Sequence, residues 1–201
     1  MRVLEDLGKR IVFFDGGMGT LLQAKGLAPG ELPELWNLTH ADVVRDIHKA
    51  YRAAGAEIIK TNTFGANRFK YPEVDILERV VTEGVRLAKE AAGPDGLVAM
   101  DIGPSGKLME PLGDLSFELA VKIFGEVAAF GAKAGADLIL VETMTDTYEC
   151  KAAVLAAKER TNLPVFATIV SDDKGKLLTG GDIPAAVALL EGLGADALGL
   201  N

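Results

Sequence analysis

Carboxylate, hydroxyl and amide side chains close one apolar run after another in this sequence. Asp15 ends IVFFD, Thr61, Asn62 and Thr63 end EIIKTNT, Asp101 falls late in LVAMDIG, Glu142 follows LILV, and Asn201 ends DALGLN. A carboxylate behind four aliphatic residues, as at Glu142, is costly to bury unless a cation meets it, and the ammonium of a ligand is such a cation. The competing reading pairs Glu142 with the start of a helix near Thr145 or Asp146. In Asp15-Gly16-Gly17-Met18-Gly19-Thr20 the glycines let backbone N–H groups approach an anion closely, and a carboxylate suits that turn. The G-G-x-G spacing departs from the dinucleotide fingerprint, and the plain alternative is a tight turn with Asp15 capping a helix over 18–25. Thr61, Asn62 and Thr63 leave a polar group at the strand end in either parity. Asp101, before a Gly-Pro turn, is expected to anchor its loop.

Other chemically capable residues read as structural. Cys150 is the single cysteine, so no internal disulfide and no cysteine-based metal site can form, and its default is a small buried or half-exposed thiol. His40 is placed at a helix start and His48 on the exposed face of that helix. Trp36 either walls the site or anchors its own loop. Thr179-Gly180-Gly181-Asp182 resembles a phosphate loop but is read as a helix start with Pro184 in the first turn. A Schiff-base lysine at Lys60 would suit an aldolase-type reaction, but the expected alternation turns Lys60 outward.

These residues need elements to hold them. Strands are expected at 11–15, 57–63, 97–103, 137–143, 164–170 and 196–201, each too continuously apolar to face water on one side. Helical spacing of apolar residues covers roughly 40–54, 75–92, 116–134, 146–160 and 184–193. AGAEIIKTNT, AGADLILVET and LGADALGLN repeat one joint, with Gly55, Gly135 and Gly194 just past a helix end, where a left-handed conformation favours glycine. Repeated βα order fits an open doubly wound sheet or a closed barrel. Polar residues at the ends of six different strands favour the barrel, because only a barrel brings every strand end to one mouth. The fold class is therefore α/β: a (βα)8 TIM barrel of which about six βα units are present, with strands seven and eight lacking, in a single domain over 1–201.

Composition narrows the function. With 49% hydrophobic and 25% charged residues the chain belongs with soluble globular proteins. No apolar run approaches the ~18 residues of a membrane helix, and Glu5 and Asp6 interrupt any signal core, so a cytoplasmic protein without membrane contact is expected. A net charge of -8, with no dense basic run, argues against nucleic acid.

Taken in order, DGGMGT, TNTFGAN, DIGPSG, VETMTDTYECKAAV and ALGLN resemble the homocysteine S-methyltransferase family, and in particular its cobalamin-dependent methionine synthase branch, from about residue 10 to the last residue. The resemblance implies a barrel whose mouth binds homocysteine, a zinc ion held by three cysteines, and methyl transfer to the zinc-bound thiolate to give methionine. It places Glu142 on the substrate ammonium, Asp15, Gly16 and Gly17 on its amino and carboxylate ends, and Thr61 and Asn62 along the pocket. Gly65, where betaine-using relatives carry tyrosine, leans towards methylcobalamin on a separate module as donor, with folate- and cobalamin-binding modules as partners. The family's zinc cysteines would follow Asn201, so no metal ligand and no catalytic residue is assigned within 1–201. The competing reading is a zinc-free, non-catalytic fragment or scaffold with part of the amino-acid pocket. An open six-strand sheet is also expected to self-associate through its edges.

Overall fold

The computed structural model describes residues 2–201. Five strands form one parallel sheet: β1 (Ile58–Lys60), β2 (Leu97–Ile102), β3 (Leu138–Met144), β4 (Val165–Ile169) and β5 (Ala197–Leu200). Their spatial order follows the chain order. A doubly wound sheet would reverse direction at a switch point, whereas this order is the winding of a (βα)8 barrel. Short helices α1 (Arg2–Asp6), α2 (Gly19–Ala24) and α3 (Trp36–Thr39) precede α4 (Ala41–Ala53). The crossovers are α5 (Val74–Ala92), α6 (Phe117–Lys133), α7 (Thr147–Arg160) and α8 (Ile183–Gly192).

The run over 11–15 departs from expectation. It makes one parallel bridge, Phe14 to Ile58, with the Phe13 carbonyl accepting from the Glu57 and Ile58 N–H groups. It has a sheet neighbour on one side only, and Ile11 is 75% and Phe13 59% exposed, so little burial holds it as a regular strand.

Alternation along the strands builds two apolar layers. Ile59, Val98, Met100, Ile139, Val141, Val165 and Ala167 face the helices and join the large core against α5, α6 and α7. Ile58, Ala99, Leu138, Leu140 and Phe166 face inward as a much smaller cluster. The helix layer is close-set. A Cβ on Gly131 of α6 would lie 2.5 Å from Cγ and 2.7 Å from Sδ of the fully buried Met100.

Helix starts carry the caps their sequences announce: Ser116 accepts from the Leu119 N–H, Asp146 from those of Tyr148 and Glu149, and Asp182 from that of Ala185. Gly55, Gly135 and Gly194 take φ of +106°, +98° and +72° at the repeated joint. At the second and third joints the acid after the glycine-alanine pair is a clamp. Asp137 accepts from the Val98 N–H and from Lys89 Nζ, both at 2.7 Å, and Asp196 from the Val165 N–H at 2.8 Å and Lys158 Nζ at 2.7 Å. Each thereby ties the start of its own strand to the start of the preceding strand and to the helix that leads into that preceding strand. Among the described residues, no helix is long and apolar enough to cross a membrane.

Candidate functional site

Two residues beyond the inward positions Ile58, Ala99 and Leu140 stand Lys60, Asp101 and Glu142, which therefore share the inner face at the C-terminal ends of β1, β2 and β3. With Asp15 they line one cavity of about 190 Å³ beside the glycine turn. Lys60 Nζ donates to both Glu142 oxygens at 3.2 Å, and neither side chain is more than 18% exposed. The Lys60 N–H donates to Asp15 Oδ2 at 3.1 Å. Asp15 Oδ1 and Asp101 Oδ1 are buried and have no hydrogen-bond partner among the described residues.

Burial sets the protonation of the cluster. It pushes the Asp15 carboxyl up to about 7, against the backbone N–H and the charge of Lys60. Asp101 is held well above the carboxylate range by burial first and by Glu142 second. Burial alone would pull Lys60 down, but Asp101, Glu142 and Asp15 outweigh it and raise its pKa. Lys60 is thus an ammonium. A Schiff-base nucleophile needs a lowered pKa, so the aldolase-type reading fails even though Lys60 points inward, opposite to the expected direction.

The structure brings Asp15, Gly16, Gly17, Thr61, Asn62 and Glu142 around the same cavity. Asp15 is not a helix cap: Met18 occupies the cap position of α2 and no side chain caps it. Gly16 is required by a neighbour, since a Cβ there would lie 2.8 Å from Tyr51 Oη, which itself donates to the Gly17 carbonyl. The Gly16 and Gly17 N–H groups donate to no other described residue, so they are available to an anion. Thr61 turns its hydroxyl to the helix side, where it meets Thr63 Oγ1 at 2.5 Å and accepts from the Asp101 N–H at 3.0 Å. Asn62 donates to Asn37 Oδ1 and the Pro33 carbonyl, holding the loop before α3 against β1. Both shape the cavity more than they offer free groups to it.

Asp101 and Lys60 are members of the site that the sequence reading set aside. Asp101 does not anchor its loop through its side chain; burial among Glu142, Lys60 and Asp15 defines it. Glu142 meets Lys60, and the start of α7 is served by Asp146 instead. Asn201 Nδ2 donates to Thr143 Oγ1 at 2.8 Å while its Oδ1 accepts from Thr168 Oγ1 at 2.6 Å, joining the ends of β3, β4 and β5.

Other residues take structural places. Trp36 is buried with Leu22, Leu27, Val44, Ile47 and Leu87 and stacks on His40, so it anchors its loop. His48 is fully buried, contrary to the exposed face expected for it, because it shares the apolar stripe of Val44, Ile47 and Tyr51 on α4. Cys150 lies inside α7, its thiol pushed up to about 12 by burial first and then by Glu149 and Asp146. Among the described residues no group of three or more His, Cys, Asp or Glu is placed to hold a metal ion.

Comparison with known proteins gives a consistent family. The homocysteine S-methyltransferase family model matches residues 12–201. The chain is 35% identical to methionine synthase of Mycobacterium tuberculosis and 34% identical to that of Mycobacterium leprae, over 99% of its own length in each case. It spans only 18% of the length of those relatives. Among solved structures, the homocysteine methyltransferase MmuM of Escherichia coli in its metallated form superposes with a TM-score of 0.83 at 26% identity, covering 100% of this chain and 77% of that one. Its oxidized form gives 0.85 at 25% identity, covering 98% and 76%. The chain belongs to the homocysteine S-methyltransferase family.

Proposed function

We propose that residues 1–201 form the amino-acid half of a homocysteine-binding methyltransferase site, and that the methyl acceptor is the homocysteine thiol, giving methionine. The observation that carries this is the cluster of Asp15, Asp101 and Glu142 at the strand ends, with two buried carboxyl oxygens open beside a glycine turn whose N–H groups are also open. A ligand ammonium satisfies those oxygens, and a ligand carboxylate suits the Gly16 and Gly17 N–H groups. Thr61 and Asn62 shape the wall that orients the ligand.

Zinc, where present in this family, keeps a substrate thiol deprotonated at neutral pH. The residues in hand do not fit it: the single cysteine is buried in α7 and has no second thiolate to join. Homocysteine binding is accordingly assigned to these residues and methyl transfer is not. As donor we favour methylcobalamin on a separate module, alongside a folate-binding module, and Gly65 supports that choice. Its N–H donates to Glu34 Oε1 at 2.7 Å, and a side chain there, such as the tyrosine of betaine-using relatives, would have to displace the ends of Lys70 and Glu34 from their present positions.

Titration calorimetry of the 201-residue chain with homocysteine tests the pocket. Binding that Asp15→Asn weakens by about tenfold supports the reading, this being the scale of one lost charged hydrogen bond. No binding of homocysteine would remove it.

A further inference from the structure

The cavity beside the glycine turn is lined by four carboxyl side chains, Asp15, Glu34, Asp101 and Glu142, and by a single cation, Lys60. Glu34 is already committed, accepting from the Gly65 N–H and from Tyr71 Oη at 3.0 Å. A wall so rich in carboxyl oxygens favours an amine of any kind, whereas its only side-chain cation to meet a ligand carboxylate is Lys60. Homocysteine carries both groups on one carbon.

Lys60 answers the second half of that problem. An ammonium has three N–H donors, and Glu142 takes two of those on Lys60, one to each oxygen. The third has no hydrogen-bond partner among the described residues. On the same wall, Asp15 Oδ1 and Asp101 Oδ1 are acceptors without a donor. The site thus presents one open cationic donor, beside the open Gly16 and Gly17 N–H groups, and two open carboxyl oxygens to the same small cavity, the complement of an ammonium and a carboxylate held together. Because Glu142 is occupied by Lys60, the ligand ammonium falls to Asp15, with the carboxyl oxygen of Asp101 as a neutral acceptor beside it, and Glu142 becomes the group that fixes Lys60 in place.

We propose that Lys60 is a specificity-determining residue, which makes this pocket select a zwitterionic α-amino acid over the corresponding amine. The inference rests on the homocysteine reading given above. Its chemistry is separable from that reading, since the amine lacking the carboxylate, 3-aminopropane-1-thiol, keeps the ammonium and the thiol.

The test is calorimetric titration of the 201-residue chain with homocysteine and with 3-aminopropane-1-thiol under reducing conditions. The parent chain is expected to prefer homocysteine by about tenfold or more, the scale of one charge-assisted hydrogen bond. Lys60→Met should abolish or invert the preference by weakening homocysteine while leaving the amine as tight or tighter, and Lys60→Arg should keep it. Lys60→Met leaves Glu142 without its cation, so the double variant Lys60→Met with Glu142→Gln supplies a folded comparison that lacks both charges and should show the same loss of preference. Retention of the parent preference in folded Lys60→Met or in the double variant would overturn the proposal, as would a proportionate loss of both ligands. A parent chain that binds neither ligand would overturn the homocysteine reading and this inference together.

Discussion

At the level of single residues, two buried groups pull the pH response of this chain in opposite directions. Asp15 has a folded pKa of about 7, raised by burial from 3.8. Its contribution to stability is complete below the unfolded value and declines as pH rises from about 4 through about 7. The ionised form is the one that receives an ammonium, so homocysteine affinity should rise between about pH 6 and pH 8, and calorimetry on Asp15→Asn should show that slope flattened. His48 is the reverse case. Burial lowers it to about 4 from 6.5, and both ring nitrogens are buried without partners. Its contribution is complete above the unfolded value and is lost as pH falls from about 6.5 towards 4. His48→Leu removes two unsatisfied polar atoms from an apolar stripe, so chemical denaturation should show a gain of about 1 kcal/mol at pH 7 and a larger one at pH 5. The place of His48 could have been read: it falls four residues after Val44 and three before Tyr51, on the apolar stripe itself. Its sequence neighbours Asp46 and Lys49 are exposed and lie off that stripe, so they say nothing of its face.

At the level of elements, spacing of apolar residues located every long helix to within a residue or two, because caps such as Ser116, Asp146 and Asp182 stand where those patterns begin. Strand positions were equally legible in four of the five regular strands, and β1 was overextended at both ends. Strand direction was not legible. Continuous apolar runs carry no alternation to read, so nothing in EIIKTNT says that Ile58 faces in and Ile59 out. Only pairing in the sheet fixes that parity, and with it the inward turn of Lys60 and the outward turn of Thr61. Packing of helix on sheet gives a sharp test. Gly131→Ala should lose stability by about 1–3 kcal/mol, because overpacking against Met100 outweighs the better helix propensity of alanine. Gly192→Ala, with nothing within 4 Å of the added Cβ and an unstrained φ, should instead gain up to about 1 kcal/mol. Thermal unfolding of the two variants side by side checks the contrast.

At the level of the whole molecule, the sheet is open. β5 pairs with β4 alone, and the run over 11–15 meets β1 alone. Ile11, Phe13 and Leu200 are all more than half exposed along these two margins. Unpaired backbone beside exposed apolar side chains is a template for another chain. A 201-residue chain produced alone should therefore self-associate in sedimentation velocity as its concentration is raised, and Phe13→Lys with Leu200→Lys should reduce that association. A cooperative monomer at every concentration would contradict the expectation. The barrel winding was visible in sequence through polar residues at successive strand ends, since that pattern depends only on chain order. The clamp by Asp137 and Asp196 was visible as a repeated Gly-Ala-acid signature, but its partners, Lys89 with the Val98 N–H and Lys158 with the Val165 N–H, exist only once the strands are paired.

The unequal size of the two apolar layers has a practical meaning. Most of the buried apolar surface lies between sheet and helices, whereas five buried residues make up the inward cluster beneath the ligand cavity. Burial energy scales with area, so the inner face is the inexpensive side of the sheet to change. A designer can redraw Lys60, Asp15 or Glu142 to suit a new ligand while the helix layer keeps the scaffold standing. The same substitutions placed one residue along each strand would strike the layer that holds the fold.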